Sequence, residues 1–556
     1  MKRKCLSRLL ASVLAGVMVV GMMAGCGEKQ VQQNEVKETT TTKETTTTPS
    51  ESQTAKEPEE LTYPVDTDVE LSFYLTQRGL LKSSAYVDFN SVPFYKGLSE
   101  KTGIAIDWQT QAEGADPKAA YNLLLQETEL PNIIWSDYGA SPAAASELYE
   151  AGLIYDLTEY LPTYAPDYWK WLNENESSKV AATTEDGKIL AFYVARESNF
   201  NITYQGPMIR QDWLDECGLK TPVTLEDWEN VLRTFKEKYN ANFGVTGAFI
   251  KQAGIGSGVG AFASLYAKYY VEDGQIKCAN TQEEWKELLV MLNRWYDEGL
   301  LNADFATEDN NTIRAKALNN EVGIIYNAMS QLTAYISDAE AEGTGAKWVG
   351  LAYPRTEAGA PTVNIQTDAQ LINNSYGAVI TTSSTEEELI AAIKLLNYGY
   401  SEEGIKYWNF GVEGETYTVD KDGNYQFTEV ITGDERGLGE VLKDYTGTYA
   451  GGPAIQLADL VKAKNNPASV DAVNIWTENT VAEQYVCPPY QRTIEEAELY
   501  SDINTQITTY VAEMALKFVT GDESLDNFDK FVEQLNALGL QKLLASEQAA
   551  YDRYVK

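Results

Sequence analysis

Hydrophobic and polar positions alternate with unusual clarity between residues 206 and 238, GPMIRQDWLDECGLKTPVTLEDWENVLRTFKEK. Trp228, Val231, Leu232 and Phe235 recur at i, i+3, i+4 and i+7 among Glu, Asn, Arg and Lys, which predicts one buried helical stripe. Thr224 followed by Asp227 reads as a capping box, and Val223 facing Trp228 as its hydrophobic staple, so the helix is expected to start at Leu225. Upstream, a strand end leads into a short helix that Gly218 can close in the left-handed conformation, with Pro222 setting the turn. The stretch carries no reactive group and is expected to be scaffold.

The same reading, taken along the chain, predicts strands at 69–75, 104–109 and 132–135, with helices at 92–101, about 118–128 and 145–152. Strands alternating with helices predict an α/β sheet whose ligands sit at the carboxyl ends of its strands. Gln77 and Arg78 after the first strand, and Trp135, Asp137 and Tyr138 at the third, occupy such ends. Asp-Gly turns predict hairpins at 183–192, 273–274 and 422–423. The chain from Glu197 through Phe200 to Tyr204 is expected to cross between two lobes. Gly256 to Ala261 fits G-x-G-x-x-A, but it lacks a clear preceding strand and a ribose-binding acid, so no dinucleotide site is expected. Asp420, Asp422 and Asn424 imitate a calcium loop, yet Gly423 falls at the wrong place and strand-like segments flank it. A hairpin turn is expected there, and no metal site or cofactor anywhere.

The amino-terminal pattern is different. Lys2, Arg3, Lys4 and Arg8 precede an apolar run to Ala24, then Gly25 and Cys26, which predicts a signal peptide over 1–25. Small residues before Cys26 resemble the bacterial lipoprotein box, with Met23 in place of the usual Leu, implying cleavage before Cys26 and lipid on its sulfur. Residues 27–60 are polar and Thr-rich, with too little apolar surface to fold. As a flexible coil these 34 residues would span roughly 30 Å.

At 556 residues the chain is long enough for several folding units, and its net charge of −38 argues against nucleic acid or a bare anionic membrane as partner. Removing residues 1–25 takes away four basic and no acidic residues, moving −38 to −42. Histidine is absent, which excludes Ser-His-Asp and Cys-His catalysis and His-ligated zinc. The 82 Asp and Glu residues leave a glycosidase-type carboxylate pair open. The 35 Tyr and 11 Trp either fill cores or line a cleft that stacks on flat apolar ligand faces. Cys217, Cys278 and Cys487 are isolated and read as buried thiols.

TYQGPMIRQDWLDECGLKTPVTLEDWENVLRTFKEK resembles the centre of extracellular solute-binding protein family 1, the carbohydrate receptors of bacterial ABC importers. ELPNIIWSDY resembles its strand into the cleft, TTEDGKILAF its hairpin before the hinge, and WYDEGLLNADFATEDNNTIRAKALNNEVGIIYNA its return toward the first lobe. YGAVITTSSTEEELIAAIKLLNYGYSEEGIKYWNFGVEGETYTVDKDG, KFVTGDES and LGLQKLLASEQAAYDRY are similar to the large lipoprotein branch typical of Gram-positive bacteria. The resemblance spans nearly all the mature chain.

It implies a two-lobed α/β fold of the periplasmic-binding-protein type (type II), joined by two or three crossovers, closing on a ligand without covalent chemistry. The expected division is lobe 1 at 61–200 and 371–440, and lobe 2 with C-terminal helices at 201–370 and 441–556. Trp135, Asp137 and Tyr138 match the family's first-lobe cleft segment, Glu197 lies near its hinge carboxylate, and Asn327 matches the start of a second-lobe loop. Met329 and Ser330 stand where many relatives carry tryptophans. Tyr490 and Arg78 complete the candidate ligand-binding set, each weighed against ordinary packing or solvation. The expected protein is a monomeric, non-enzymatic receptor, lipid-anchored at the outer face of the cell membrane. It would capture a sugar or oligosaccharide for permease subunits served by a separate ATPase. The alternatives are a surface glycan sensor or adhesin, and a carboxylate-dependent glycosidase or lyase.

Overall fold

Two separate sheets, each under its own hydrophobic core, organise the chain. The computed structural model describes residues 61–76, 83–198, 200, 203–246, 254–261, 268–362, 371–448, 451–478 and 485–556. The expectations for the signal peptide, Cys26, the tether, Gln77 and Arg78 lie outside the described residues.

The first sheet contains β1 (Glu70–Leu75), β2 (Ala105–Gln109), β3 (Ile133–Ser136), β4 (Phe192–Arg196), β11 (Ile372–Ile380) and β14 (Ile455–Gln456), in the order β14-β4-β11-β3-β1-β2. Strands β1, β2 and β3 run parallel, whereas β11 enters antiparallel between β3 and β4. The second sheet contains β5 (Gln205–Arg210), β6 (Asn242–Val245), β9 (Val322–Ala328) and β10 (Trp348–Gly350), in the order β10-β5-β9-β6. Two hairpins lie outside the sheets, β7 (Tyr269–Glu272) with β8 (Gln275–Cys278), and β12 (Tyr417–Val419) with β13 (Tyr425–Phe427). Both carry the Asp-Gly turns expected of them. The turn at 184–187 forms too, but with a single bridge between Thr183 and Ile189.

The buried residues of the two lobes form separate clusters, one on each sheet. The fold is therefore the two-lobed one that the sequence implies. Ile455–Gln456 pairs with β4, so the first sheet takes in chain beyond the expected limit at residue 440. Two residues are too few to leave a periodic signal.

In the second lobe the helix Leu225–Tyr239 begins at Thr224, whose hydroxyl accepts the Asp227 amide while the Asp227 carboxylate accepts the Thr224 amide. Trp228, Val231, Leu232 and Phe235 are all buried, and Gly218 closes the preceding helix Gln211–Cys217 at φ 66°. Val223 remains 39% exposed, so the expected staple contributes little burial.

At the foot of β5, Arg210 is nearly enclosed and bonds both oxygens of Asp212, at 2.8 and 2.6 Å, with its guanidinium over Trp213. Burial pushes the Asp212 carboxyl up, but the Arg210 hydrogen bonds and the Lys347 amide together pull it below its ordinary value. A depressed acid stabilises the fold above its unfolded pKa, near 3.9, and that stabilisation is lost as pH falls through the lower folded value. Asp212→Asn is expected to cost about 2 kcal/mol at pH 7, the difference from the parent shrinking below about pH 4. Urea titrations of both proteins at pH 7, 5 and 3 check this; an equal gap at all three would contradict it.

The remaining motifs resolve as packing. Gly254–Val259 forms a 3-10 turn in which Cβ atoms on Gly256 and Gly258 would meet Ala261, Leu288 and Pro354 at 3.1 to 3.2 Å. Those glycines make room for neighbouring protein, not for a phosphate. Asp420 accepts the backbone amides of Asp422 and Asn424, closing the β12–β13 turn. Cys217, Cys278 and Cys487 are unpaired, and burial pushes the Cys278 thiol up to about 12. Among the described residues no helix is long and apolar enough to cross a membrane, and no acid or thiol cluster could hold a metal ion.

Candidate functional site

Three linkers join the lobes, and their ends at the first sheet are hydrogen-bonded to one another. Residues 197–204 connect β4 to β5, residues 351–371 connect β10 to β11, and residues 457 onward leave β14 for the helices Ala458–Ala463 and Pro467–Thr477. The Arg196 amide donates to the Leu371 carbonyl (2.7 Å) and the Glu197 amide to the Gln456 carbonyl (3.0 Å). Glu197, itself exposed, accepts the Ala458 amide at 2.8 Å. Its carboxylate thus ties the first linker to the third, a hinge position rather than a cleft wall.

In the first lobe the strand ends are held by Thr76, which donates its hydroxyl to Ser136 at 3.0 Å, and by the Tyr138 amide, which donates to the same Ser136 oxygen. Asp137 and Tyr138 follow the carboxyl end of β3 and are half-buried, the Tyr138 ring 5.7 Å from that of Tyr121. Trp135 points the other way. It is fully enclosed among Phe73, Tyr376 and Trp408, so it supports the cleft floor and offers no surface to a ligand.

Asn327, expected to reach the ligand from the second lobe, is also turned inward. Its amide donates to Asn310 (3.0 Å) and to the Tyr335 hydroxyl (3.1 Å), and its oxygen accepts the Ala328 amide. Met329 is buried, and its amide donates to the Tyr204 carbonyl. The helix Met329–Ala341 starts from Ala328 without a side-chain cap, leaving polar first-turn amides at the carboxyl end of β9. Tyr204, 48% exposed, stands beside it on the linker.

Between the lobes lies a cavity of about 340 Å3 with walls from both. Ser141, Asn374 and Ser375 come from the first lobe, Tyr490, Arg492 and Tyr500 from the second. Asn374 and Ser375 belong to a bulge that β11 makes between residues paired with Val194 and Tyr193, next to the end of β3. Tyr490 is nearly buried, and its hydroxyl donates to Glu547 at 2.8 Å. Arg492 forks onto the same carboxylate, Nε to Oε1 at 2.7 Å and Nη2 to Oε2 at 2.5 Å, with its guanidinium 4.0 Å from the Tyr500 ring centre. Burial lowers the Arg492 guanidinium's proton affinity, but Glu547 more than restores it. Burial pushes the neighbouring Cys487 thiol up to about 11, far from a reactive thiolate. Gln491 bridges the lobes directly, its amide donating to the Val180 carbonyl at 3.1 Å, and Arg553 meets Glu185 at 3.5 Å. Of the six described candidates, Tyr490 lines this cavity, Asp137 and Tyr138 follow the carboxyl end of β3, and Trp135, Glu197 and Asn327 are committed elsewhere. Arg492, Tyr500 and the β11 bulge had no sequence signal; only the pairing of residues far apart in the chain brings them together.

Two lobes, a three-linker hinge and a ligand-sized space between them agree with comparison against known proteins. The model of the bacterial extracellular solute-binding protein family matches residues 91–406. The chain belongs to that family.

Among relatives of this solute-binding protein, Lipoprotein LipO of Bacillus subtilis is 24% identical over 481 residues, covering 83% of this chain and 88% of that protein. The fructooligosaccharide ABC transporter substrate-binding protein FusA of Streptococcus pneumoniae is 22% identical over 538 residues, covering 89% and 92%. A human-milk-oligosaccharide-binding, ABC-transporter-associated solute-binding protein of Bifidobacterium longum infantis superposes with a TM-score of 0.71 at 19% identity, covering 88% of this chain and all of that one. The family is one of extracellular solute-binding proteins, and the relatives named for a ligand are carbohydrate-binding proteins of ABC transporters.

Proposed function

We propose that this chain is a lipid-anchored receptor that captures a sugar or oligosaccharide outside the cell and hands it to an ABC permease pair driven by a separate ATPase. Cys26 carries the lipid, residues 27–60 space the folded part from the membrane, and the receptor works as a monomer. The observation that carries this reading is the cavity walled by both lobes, in a chain whose linkers are hydrogen-bonded where they meet the first sheet. A ligand touching both walls stabilises the closed arrangement over the open one, which is what makes a hinged protein a receptor. Aromatic and planar polar side chains at the cleft edge suit the apolar face and hydroxyls of a sugar ring. Beside Asp137, the two other acids named at the hinge and cavity are engaged, Glu197 by the Ala458 amide and Glu547 by Arg492, which favours binding over hydrolysis by a carboxylate pair.

Isothermal calorimetry against neutral and acidic oligosaccharides, paired with small-angle scattering, tests this. Binding with a decrease in radius of gyration and no change in the glycan is expected. Release of shorter sugars would move the protein to the glycosidase class, and binding without compaction would favour a sensor or adhesin.

A further inference from the structure

Resting on the carbohydrate-receptor reading, we propose that the cavity between Ser141, Ser375, Tyr490 and Arg492 is a subsite for an uncharged sugar unit at one end of an extended glycan, and that it rejects uronates. Its size falls within the roughly 300–1,000 Å3 of small-molecule sites, enough for one ring of a longer ligand. Its walls come from both lobes, so a unit bound there adds directly to closure.

The chemistry of the lining sets the ligand's charge. Arg492 is the cation of the lining, and a guanidinium is the usual partner for a carboxylate because its fork matches two oxygens. Here Glu547 already occupies that fork, and the Tyr490 hydroxyl donates to the same carboxylate. Glu547 is 1% exposed and cannot swing out to water to make way for another acid. A uronate entering the cavity would bring a second anion beside Glu547 and would lose hydration while finding the Nε–Nη2 fork of Arg492 already taken. A neutral ring meets no such penalty. The flat guanidinium over Tyr500 and the Pro488–Pro489 edge give it apolar contact, while Ser141, Asn374 and Ser375 provide polar groups from the opposite wall.

Two substitutions fill the space from opposite sides, Ser375→Trp on the exposed β11 bulge and Ala497→Trp on the helix Ile494–Thr520. Probes are neutral gluco-, fructo-, galacto-, manno- and xylo-oligosaccharides of increasing length, together with galacturonate and alginate oligomers, measured by calorimetry on the parent and on variants with unchanged thermal midpoints. For the longest neutral glycan the parent binds, each variant is expected to lose about tenfold or more in affinity, the equivalent of one stacked ring. The same glycan, shortened until the parent's affinity falls, should bind parent and variants alike. Equal losses at every length would mean that the tryptophans merely prop the lobes apart, and would overturn the subsite. Uronate oligomers binding the parent as tightly as neutral ones would overturn its charge selectivity. A parent that binds no glycan of either kind would instead remove the receptor reading on which the subsite rests.

Discussion

Trp228→Ala is expected to destabilise the second lobe by about 3–5 kcal/mol, the usual cost of emptying a large buried aromatic site. The side chain is 0% exposed at the amino-terminal end of the stripe formed with Val231, Leu232 and Phe235, and its ring meets Phe243 of β6 edge-on at 6.1 Å. Its indole N–H has no hydrogen-bond partner among the described residues, so the loss is one of packing and cavity formation rather than of polar contacts. Because the helix Leu225–Tyr239 packs against β6 and β9 and contributes none of the residues lining the described interlobe cavity, the folded fraction should keep its ligand affinity within about tenfold, any change arriving through the hinge. Denaturant melts of parent and variant measure the first quantity and calorimetry the second. Val223→Ala is the control: the residue before the cap is 39% exposed, and truncating it should move stability by no more than about 0.5 kcal/mol. A Trp228→Ala protein within 1 kcal/mol of the parent, on the order of a surface change, would contradict the packing described.

Glu547→Ala should rival it, at about 3–5 kcal/mol, for a different reason. The substitution leaves the Arg492 guanidinium among Tyr490, Tyr500 and Cys487 without its hydrogen-bonded counter-charge, and strips the Tyr490 hydroxyl of its acceptor. Most of the cost is the stranded charge rather than the lost bond. Glu547→Gln, which keeps an acceptor but no charge, should fall between parent and alanine. Removing both partners in Glu547→Ala with Arg492→Met should be milder than Glu547→Ala alone, since neither charge then remains. Denaturant melts of the parent, Glu547→Ala, Arg492→Met and the double variant give the cycle; a double variant no milder than Glu547→Ala alone would refute the account.

The local elements were largely legible in the sequence, because their causes are local. The capping box at Thr224, the closing glycine at 218 and the Asp-Gly hairpins at 273 and 422 all act over fewer than about eight residues, which is the range of periodicity and turn chemistry. The side-chain directions at the site were not. Trp135 stands at a strand end, as expected, but β11, from about 240 positions later, pairs with β3 and brings Tyr376 over the indole. Asn327 is likewise taken by Asn310 and Tyr335, and Tyr490 by a glutamate in the final helix, Leu540–Tyr554. The predicted helix at 118–128 stops at Leu124, where the cap is Leu125 and the chain turns toward β3. Each miss is a long-range contact prevailing over a local preference.

The position of β11 inside the first sheet has a consequence for how the chain comes to be folded. Strands β3 and β4 emerge early, yet both leave an edge open until residues 372–380 slot between them. The strands of the second sheet are contiguous from 205 to 350 and need nothing later to pair among themselves. The first sheet to begin is thus the second to complete its pairing, and for the interval its unpaired edges are the part of the molecule open to mispairing.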